Sequence, residues 1–537
     1  MKKIIFGIIN KMGYNKGGVI VNKKKNSKIA AVIDIGSNLL KMRVSQLRRG
    51  EIVDIDRLEY PLCLGHEVFA DGKISFESLR ELSNILRGYC EIMAEYGVGQ
   101  CKVVATTAFR EAKNRSYVID QLKIQNDITV QVLEDDQEKT LIYSEILNSL
   151  KTNEDKKGKN ALISYIGAGP IGFSVYDGKR MIFSQNIPMG ALKLHDMLGS
   201  IQNQTDDFYT VVEEYLDSII GHISIPFNNG IVSNLILTGY EIQLIAKICS
   251  VEPENGRYTI PARLLTDLFK KIRSMSQEKI SMEYGIAEDT AELLYSSLAI
   301  YIRLLQFTTS DEIISPKVEL WDALIRQMLI PKSCDEYFEH VRVNAISCAQ
   351  AIALTYNCNQ KHSDNIRNCA CKIFDKMKGA HGLDHRKRLL LELAAILHDC
   401  GHYVTAKQHL LSSFDLIKDI DVYGMTDDEM LIMAYVSRYN EYDVPNFEDV
   451  ELMPLDDQNR LIVSKLVAIF RLANALDKSQ KQKLNDIKVK LDNDKLLIMA
   501  QSNDNVYLEK WAFDQCAPFF KEVFGYNPEL TIKSLLI

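Results

Sequence analysis

The stretch Ile29–Val53, IAAVIDIGSNLLKMRVSQLRRGEIV, reads as strand, glycine turn, strand, tight turn, strand. A second stretch, Ala161–Phe183, ALISYIGAGPIGFSVYDGKRMIF, reads the same way, with YDGK as the hairpin turn between its last two strands. The segments C-terminal to the two copies also correspond. After the first, Phe76–Tyr96 carries Leu79, Leu82, Ile85, Leu86, Ile92 and Met93 at helical spacing. KVVATTAF then reads as a buried strand ending in Thr106 and Thr107, and Asp136–Leu150 as a helix with acids at its start. After the second copy come helices and then SNLILTGYEIQLIAKI, a strand, turn and helix. The pattern predicts two related α/β halves, each opening on a hairpin whose glycine turn sits at a strand end. Such turns can face each other across a cleft.

The remainder of the chain bounds this reading. At 537 residues it is too long for one core, and 46% apolar with 25% charged residues is ordinary for a globular protein. A net charge of -7 argues against broad nucleic-acid or membrane-surface binding, which needs a basic face. It leaves room for a phosphate-rich ligand held in a local cradle of backbone N–H groups. The 11 cysteines include no CxxC pair, so reduced thiols and a cytoplasmic location are expected. Residues 1–28 carry lysines and no acids and read as a basic flexible extension; IIFGII is too short to span a membrane, and no other segment has that length. The expected domains are that extension, a first half over 29–150, a second over 151–331 opening on the lysine-rich KTNEDKKGKN, and a nearly all-helical region over 332–537. In the last, DIKVKLDNDKLLIMA predicts a small terminal β-hairpin with a DND turn.

Two groups of residues carry chemistry. In DIGSN, Asp34 ends a strand, Gly36 permits close approach, and Ser37 and Asn38 add donors. A carboxylate beside such a nest can hold Mg²⁺ while the nest takes phosphate oxygens, although the same turn also closes ordinary hairpins. Arg110 lies just past a strand end, and Glu138 lies in the first turn of a helix. A carboxylate there can activate water or simply complement the helix dipole. In the helical region His362 opens one helix, His398-Asp399 ends another, and RLANALD comes later at Arg471–Asp477. H…HD…D inside an all-α region is the metal pattern of HD-domain phosphohydrolases, and imidazole with carboxylate suits a divalent transition metal. The alternative is a structural helical domain with buried polar histidines.

From about Ala30 to its C-terminus the chain resembles the exopolyphosphatase and guanosine pentaphosphate phosphohydrolase (Ppx/GppA) family. AVIDIGSNLLKM is similar to that family's first phosphate loop, ATTAFREAKNR to its ATSAxREAxN segment and EDDQEKTLIY to its SGxEEARLIY segment. IPMGALKL and LTGYEIQLIAKI resemble two blocks of the second half, and LLLELAAILHDCGHYV resembles an HD-like domain at the same position. The resemblance implies a duplicated RNase H-like, actin-like α/β phosphatase module followed by an all-α HD-type domain. It implies hydrolysis of the terminal phosphoanhydride of inorganic polyphosphate, or of the 5′-phosphate of pppGpp, and a homodimer. It also implies Asp34 on Mg²⁺, phosphate cradled by Gly36, Ser37, Asn38, Gly167 and Gly169, Arg110 neutralising charge, and Glu138 as general base. In the HD-type domain it implies His362, His398 and Asp399 on a divalent metal, with Asn474 where a fourth ligand is usual and Asp477 one turn away.

The second loop departs from the family pattern DIGGGSTE. It reads YIGAGPIG, with Tyr165 in place of an aspartate, Pro170 and Ile171 in place of Ser and Thr, and Gly172 in place of a second glutamate. Cys63 and Tyr240 replace an expected arginine and glycine. The turn is expected to survive and its chemistry to weaken. Three activities are therefore expected to compete: a weakened exopolyphosphatase resting on Glu138, an inactive regulator that binds polyphosphate or guanosine tetra- or pentaphosphate, and a metal-dependent HD phosphohydrolase.

Overall fold

A computed structural model describes residues 12–15, 19–22, 28–151, 159–166, 171–187, 189–202, 204–205, 207–221, 223, 232–441, 444–445 and 455–533. Within the basic N-terminal segment, β1 (Met12–Asn15) and β2 (Val19–Asn22) pair antiparallel, so that part of the expected extension is a hairpin. The chain divides into two compact units, residues 1–180 with 184–341, and 181–183 with 342–537.

The first unit is built on two sheets. One holds β3 (Ile29–Ile35), β4 (Leu39–Arg48), β5 (Glu51–Pro61), β6 (Gln100–Ala105) and β7 (Val130–Val132) in the order β5-β4-β3-β6-β7. The central strand β3 is a nearly unbroken apolar run because both its faces are covered: Ala30, Ala31, Val32, Ile33 and Ile35 are fully buried. Edge strand β5 is correspondingly polar. The β4–β5 turn places Arg49 at φ 53° and Gly50 at φ 90°, the left-handed pair a two-residue hairpin needs.

The other sheet holds β8 (Ala161–Ile166), β9 (Ile171–Tyr176), β10 (Met181–Ile187), β11 (Leu235–Thr238), β12 (Arg257–Pro261) and β13 (Glu312–Pro316) in the order β10-β9-β8-β11-β13-β12. Both sheets thus run third, second, first, fourth, fifth, with β12 added antiparallel at the edge of the second. In each, the first and fourth strands are parallel neighbours: β3 with β6, and β8 with β11. Asp34 and Tyr165 are equivalent, each next to last in the first strand of its half.

A helix from Leu320 to Leu329 is tied to the first sheet. Its buried Trp321 lies with Lys41, Arg43 and Arg57 at 5.3, 5.9 and 5.6 Å from a ring centroid. Lys41 donates to Glu319 at 2.7 Å, and Arg43 pairs with Asp322 and, at 2.7 Å, with Asp54.

The second unit is mainly helical. Helix His385–Leu397 is buried at every position from Leu389 to Leu397, as a stretch apolar on most faces must be, and helix Asp457–Ala475 is buried continuously from Leu466. The expected hairpin forms from β14 (Asn485–Asp492) and β15 (Lys495–Gln501). It is not terminal and not alone: after helix Tyr507–Phe524 the chain returns as β16 (Asn527–Lys533), parallel to β15. NPELTIK opens with Asn-Pro and alternates weakly, so only its pairing makes it a strand. Among the described residues no helix is long and apolar enough to cross a membrane.

Candidate functional site

The parallel neighbours of both sheets end at one cavity of about 420 Å³ in the first unit. Asp34, Ser37 and Asn38 reach it from the end of β3, Thr106 and Thr107 from β6, Tyr165 from β8, and Gly239 and Glu241 from β11. This is where an α/β sheet ordinarily binds its ligand, outside the carboxyl ends of its strands.

The first loop is built as the sequence predicts. A Cβ on Gly36 would lie 2.9 Å from the Leu39 carbonyl oxygen, so that position needs glycine. Its N–H donates to the same carbonyl at 3.0 Å, so Gly36 gives the cradle room, not a donor. Asp34 Oδ1, Ser37 Oγ and Asn38 Oδ1 are buried and have no hydrogen-bond partner. Loss of solvent pushes the Asp34 carboxyl up to about 7; Lys41 opposes this, and Glu138 and Glu319 add to it. An unpartnered carboxylate oxygen beside a hydroxyl and an amide oxygen suits a hard cation such as Mg²⁺. Gly167 and Gly169 lie outside the described residues.

Glu138, in the first turn of helix Asp135–Lys151, is held at both oxygens. Oε2 accepts from Arg110 Nη1 at 3.0 Å, and Oε1 accepts from the Tyr165 hydroxyl at 2.7 Å. Arg110 also donates to the Leu133 carbonyl at 2.6 Å and Thr107 Oγ1 at 2.9 Å, and pairs with Asp135. Its charge is thus spent on protein groups.

The residue after Glu138 reaches the second loop. Lys139 is 2% exposed, donates to Asn186 Oδ1 at 2.5 Å and lies 3.1 Å from Asp136 Oδ1. A Cβ on Gly172 would lie 2.7 Å from Lys139 Cδ. The lysine stem therefore fills the space where a side chain at position 172 would begin.

Among the polar groups of the cavity that sequence reasoning missed are Lys41, Glu319 and Glu241. Lys41 stands opposite Asp34 in the β3–β4 register, a signal available once the hairpin is drawn. Glu241 lies in the first turn of helix Tyr240–Ile248, after Gly239, whose φ of 140° is a glycine conformation. Loss of solvent raises the Glu241 carboxyl above its ordinary range.

In the second unit, ligand atoms of His362, His398 and Asp399 lie within 4.8 Å of one another. His362 Nδ1 is 2.9 Å from Asp477 Oδ2, which leaves Nε2 toward the cluster. His398 Nδ1 donates to the Ala395 carbonyl at 3.0 Å, while its Nε2 is buried, without a hydrogen-bond partner and 3.4 Å from Asp399 Oδ1. Asp477 thus orients a histidine and does not join the cluster, a common outer role beside metal-bound imidazole. Burial lowers His398. Burial would raise Asp399, but the neighbouring imidazoles, His398 foremost, outweigh it and hold the carboxyl low.

The first-unit geometry has two measurable outcomes. Asp34 binds its proton more tightly folded than unfolded, so stability falls as pH rises from its ordinary 3.8 to about 7 and stays reduced above. In EDTA, Asp34→Asn is expected to be more stable than the parent at pH 8, by on the order of 2–4 kcal/mol, and nearly equal to it at pH 4, read by thermal melts. Gly172→Glu alone is expected to cost about 1–3 kcal/mol through its clash with Lys139. Combining it with Lys139→Ala should recover at least ~1 kcal/mol; additive losses in the double-mutant cycle would contradict the contact.

The sequence matches the model of the Ppx/GppA phosphatase family over residues 43–371 and that of Ppx/GppA phosphatase domain III over residues 344–515. A guanosine-5′-triphosphate,3′-diphosphate pyrophosphatase of Aeromonas salmonicida is 19% identical over 428 residues, 79% of this chain and 83% of the relative. That of Aeromonas hydrophila is 20% identical over 450 residues, 83% of this chain and 86% of the relative. A solved exopolyphosphatase from Cytophaga hutchinsonii superposes with a TM-score of 0.51 at 18% identity, covering 56% of this chain and 97% of that one. That likeness shows the fold, the actin-like arrangement of two mixed α/β sheets. The family model covers more than half of the chain, the ATTAFREAKNR segment included, and the chain belongs to the Ppx/GppA phosphatase family.

Proposed function

We propose that this protein is a phosphoanhydride hydrolase that releases orthophosphate from the ends of inorganic polyphosphate, and does so slowly. The observation that carries this is the trio of buried, unpartnered polar atoms on Asp34, Ser37 and Asn38, which border the same cavity as Glu138. Buried polar atoms without partners are costly, and a bound phosphate with its cation would satisfy all three. Four carboxylates border the cavity, Asp34, Glu138, Glu241 and Glu319, whereas Lys41 and His66 are its basic groups among the described residues. A polyanion therefore needs a cation to enter. Mg²⁺ held by Asp34 would supply that charge and shield the oxygens of the terminal phosphoryl group.

The protein groups then position and move a proton. The Ser37 hydroxyl donates to the phosphate, the orphaned Asn38 Oδ1 would face the cation, and Arg110 aims the Glu138 carboxylate. Water gives its proton to Glu138 Oε1 as its oxygen attacks the terminal phosphorus in line, and the bridging P–O bond opposite breaks, releasing the shortened polyphosphate. To reach that oxygen it must displace the Tyr165 hydroxyl, and Lys139 fills the place from which a second carboxylate would orient it. Both features favour slow turnover. The names of the two Aeromonas relatives make pppGpp the substrate to compare. With Mg²⁺, purified protein is expected to release orthophosphate from long-chain polyphosphate, and Glu138→Ala to lose roughly 10²–10⁴-fold of that rate. No release from either protein, with polyphosphate still bound, would replace the enzyme by a binding regulator.

A second reading rests on the orphaned His398 Nε2 and the Asp477-oriented His362. We infer that His362, His398 and Asp399 hold a divalent transition metal, which suits an HD-type phosphohydrolase. Elemental analysis of the purified chain is expected to find metal that His398→Ala lacks. Equal trace metal in both would remove this reading and leave a structural helical domain.

A further inference from the structure

Cys358 and Cys400 meet beside the histidine cluster of the second unit. Cys358 comes directly after Asn357, which turns the chain at φ 54° beyond helix Ser333–Thr355, and it is half-buried. Cys400 is fully buried, opens a short 3₁₀ helix and is bonded through its peptide to Asp399. Their sulfurs are 3.6 Å apart across 42 residues of sequence. The rings of Tyr356 and Tyr403 close over the same joint, edge to face at 5.6 Å. All eleven cysteines are free thiols.

The two sides of this contact differ in freedom. A Cβ on Gly401 would fall 2.0 Å from the His409 carbonyl oxygen and 2.4 Å from Ser413 N. Gly401 N donates to Ser413 Oγ at 2.9 Å, which donates to the His398 carbonyl at 2.6 Å. The Cys400 segment is therefore clamped, whereas Cys358 sits on an accessible turn. A disulfide needs the sulfurs at about 2.05 Å, a closure of roughly 1.5 Å that rotation at Cys358 can supply.

We propose that Cys358 and Cys400 form a reversible disulfide under peroxide, pinning the Cys358 turn to the segment that carries Asp399. Cys358 is the reachable thiol. Its thiolate attacks one oxygen of hydrogen peroxide, the O–O bond breaks, and Cys358 sulfenic acid and hydroxide form. The Cys400 sulfur then attacks the sulfenic sulfur. The S–O bond breaks, the Cys400 proton leaves with that oxygen as water, and the S–S bond forms. Cys400 is fully buried and Cys358 half-buried, which fits Cys358 as the first to react. Such transient pairs are the form disulfides take in a reducing compartment.

The test treats the full chain with hydrogen peroxide, alkylates the remaining thiols after denaturation and maps peptides by mass spectrometry. A Cys358–Cys400 linked peptide is expected as the main product, reversed by dithiothreitol and absent from Cys358→Ser and Cys358→Ala. In Cys400→Ser, Cys358 is expected to be trapped as sulfenic acid by dimedone. The oxidised parent should melt roughly 3–8 °C higher in one transition, because the bond closes a loop of about 40 residues. Peroxide that oxidises other cysteines while these two remain alkylatable would overturn the proposal. So would a linked pair whose formation leaves every melting transition unmoved.

Discussion

Parallel pairing at the centre of each sheet is the constraint on which the first unit depends. Because β3 runs beside β6 and β8 beside β11, four strands deliver their carboxyl ends to one place. The apolar sequence of β3 and β8 is dictated by that central position, since a strand covered on both faces has no polar side to show. The larger polar residues are then confined to the strand ends. Asp34, Thr106 and Tyr165 fall there, with Gly239 at the end of β11, and the cavity is set by topology before any individual side chain is considered.

Within that frame, the changes at the second loop form one set. Tyr165 stands where the resemblance led us to expect a carboxylate, and its hydroxyl is bonded to the carboxylate that remains. Gly172 stands where a second is expected, and the stem of Lys139 lies against it. A buried lysine is tolerated only with partners, and Asp136 and Asn186 provide them. Restoring a glutamate at 172 alone would push on the lysine, and removing the lysine alone would strand Asp136. Each residue holds the others in place, so Tyr165, Gly172 and Lys139 form a packed arrangement of their own.

The duplicated hairpins and the first loop were legible in the sequence because each is written in adjacent residues or in a fixed period; Glu138 and the histidine cluster were legible through their resemblance to a known pattern. The contact of Lys139 with Gly172 was not, since it joins a helix to a strand through space and leaves no local pattern. Glu241 was hidden for the same reason: an acid in the first turn of a helix is ordinary until the cavity beside it is known. β16 was missed because its strand character comes from pairing with β15, not from its own alternation. Asp477 could be placed near the cluster by spacing, but only its bond to His362 Nδ1 shows that it orients a histidine.

The two carboxylates at the heart of the two units shift in opposite directions, and the difference identifies what each lacks. Asp34 loses water and gains mostly like charge, so its carboxyl rises to about 7 and favours the neutral form until a cation approaches. Asp399 also loses water, yet the imidazoles around it hold it ionised. A hard cation would change the charge of the first site on arrival, coupling its binding to proton release there. At the second, the carboxylate is already ionised, and the limiting proton belongs to buried His398, which burial already disfavours. Oxygen donors suit a hard cation and imidazole with carboxylate suits a transition metal, so the two proposed sites would select different ions.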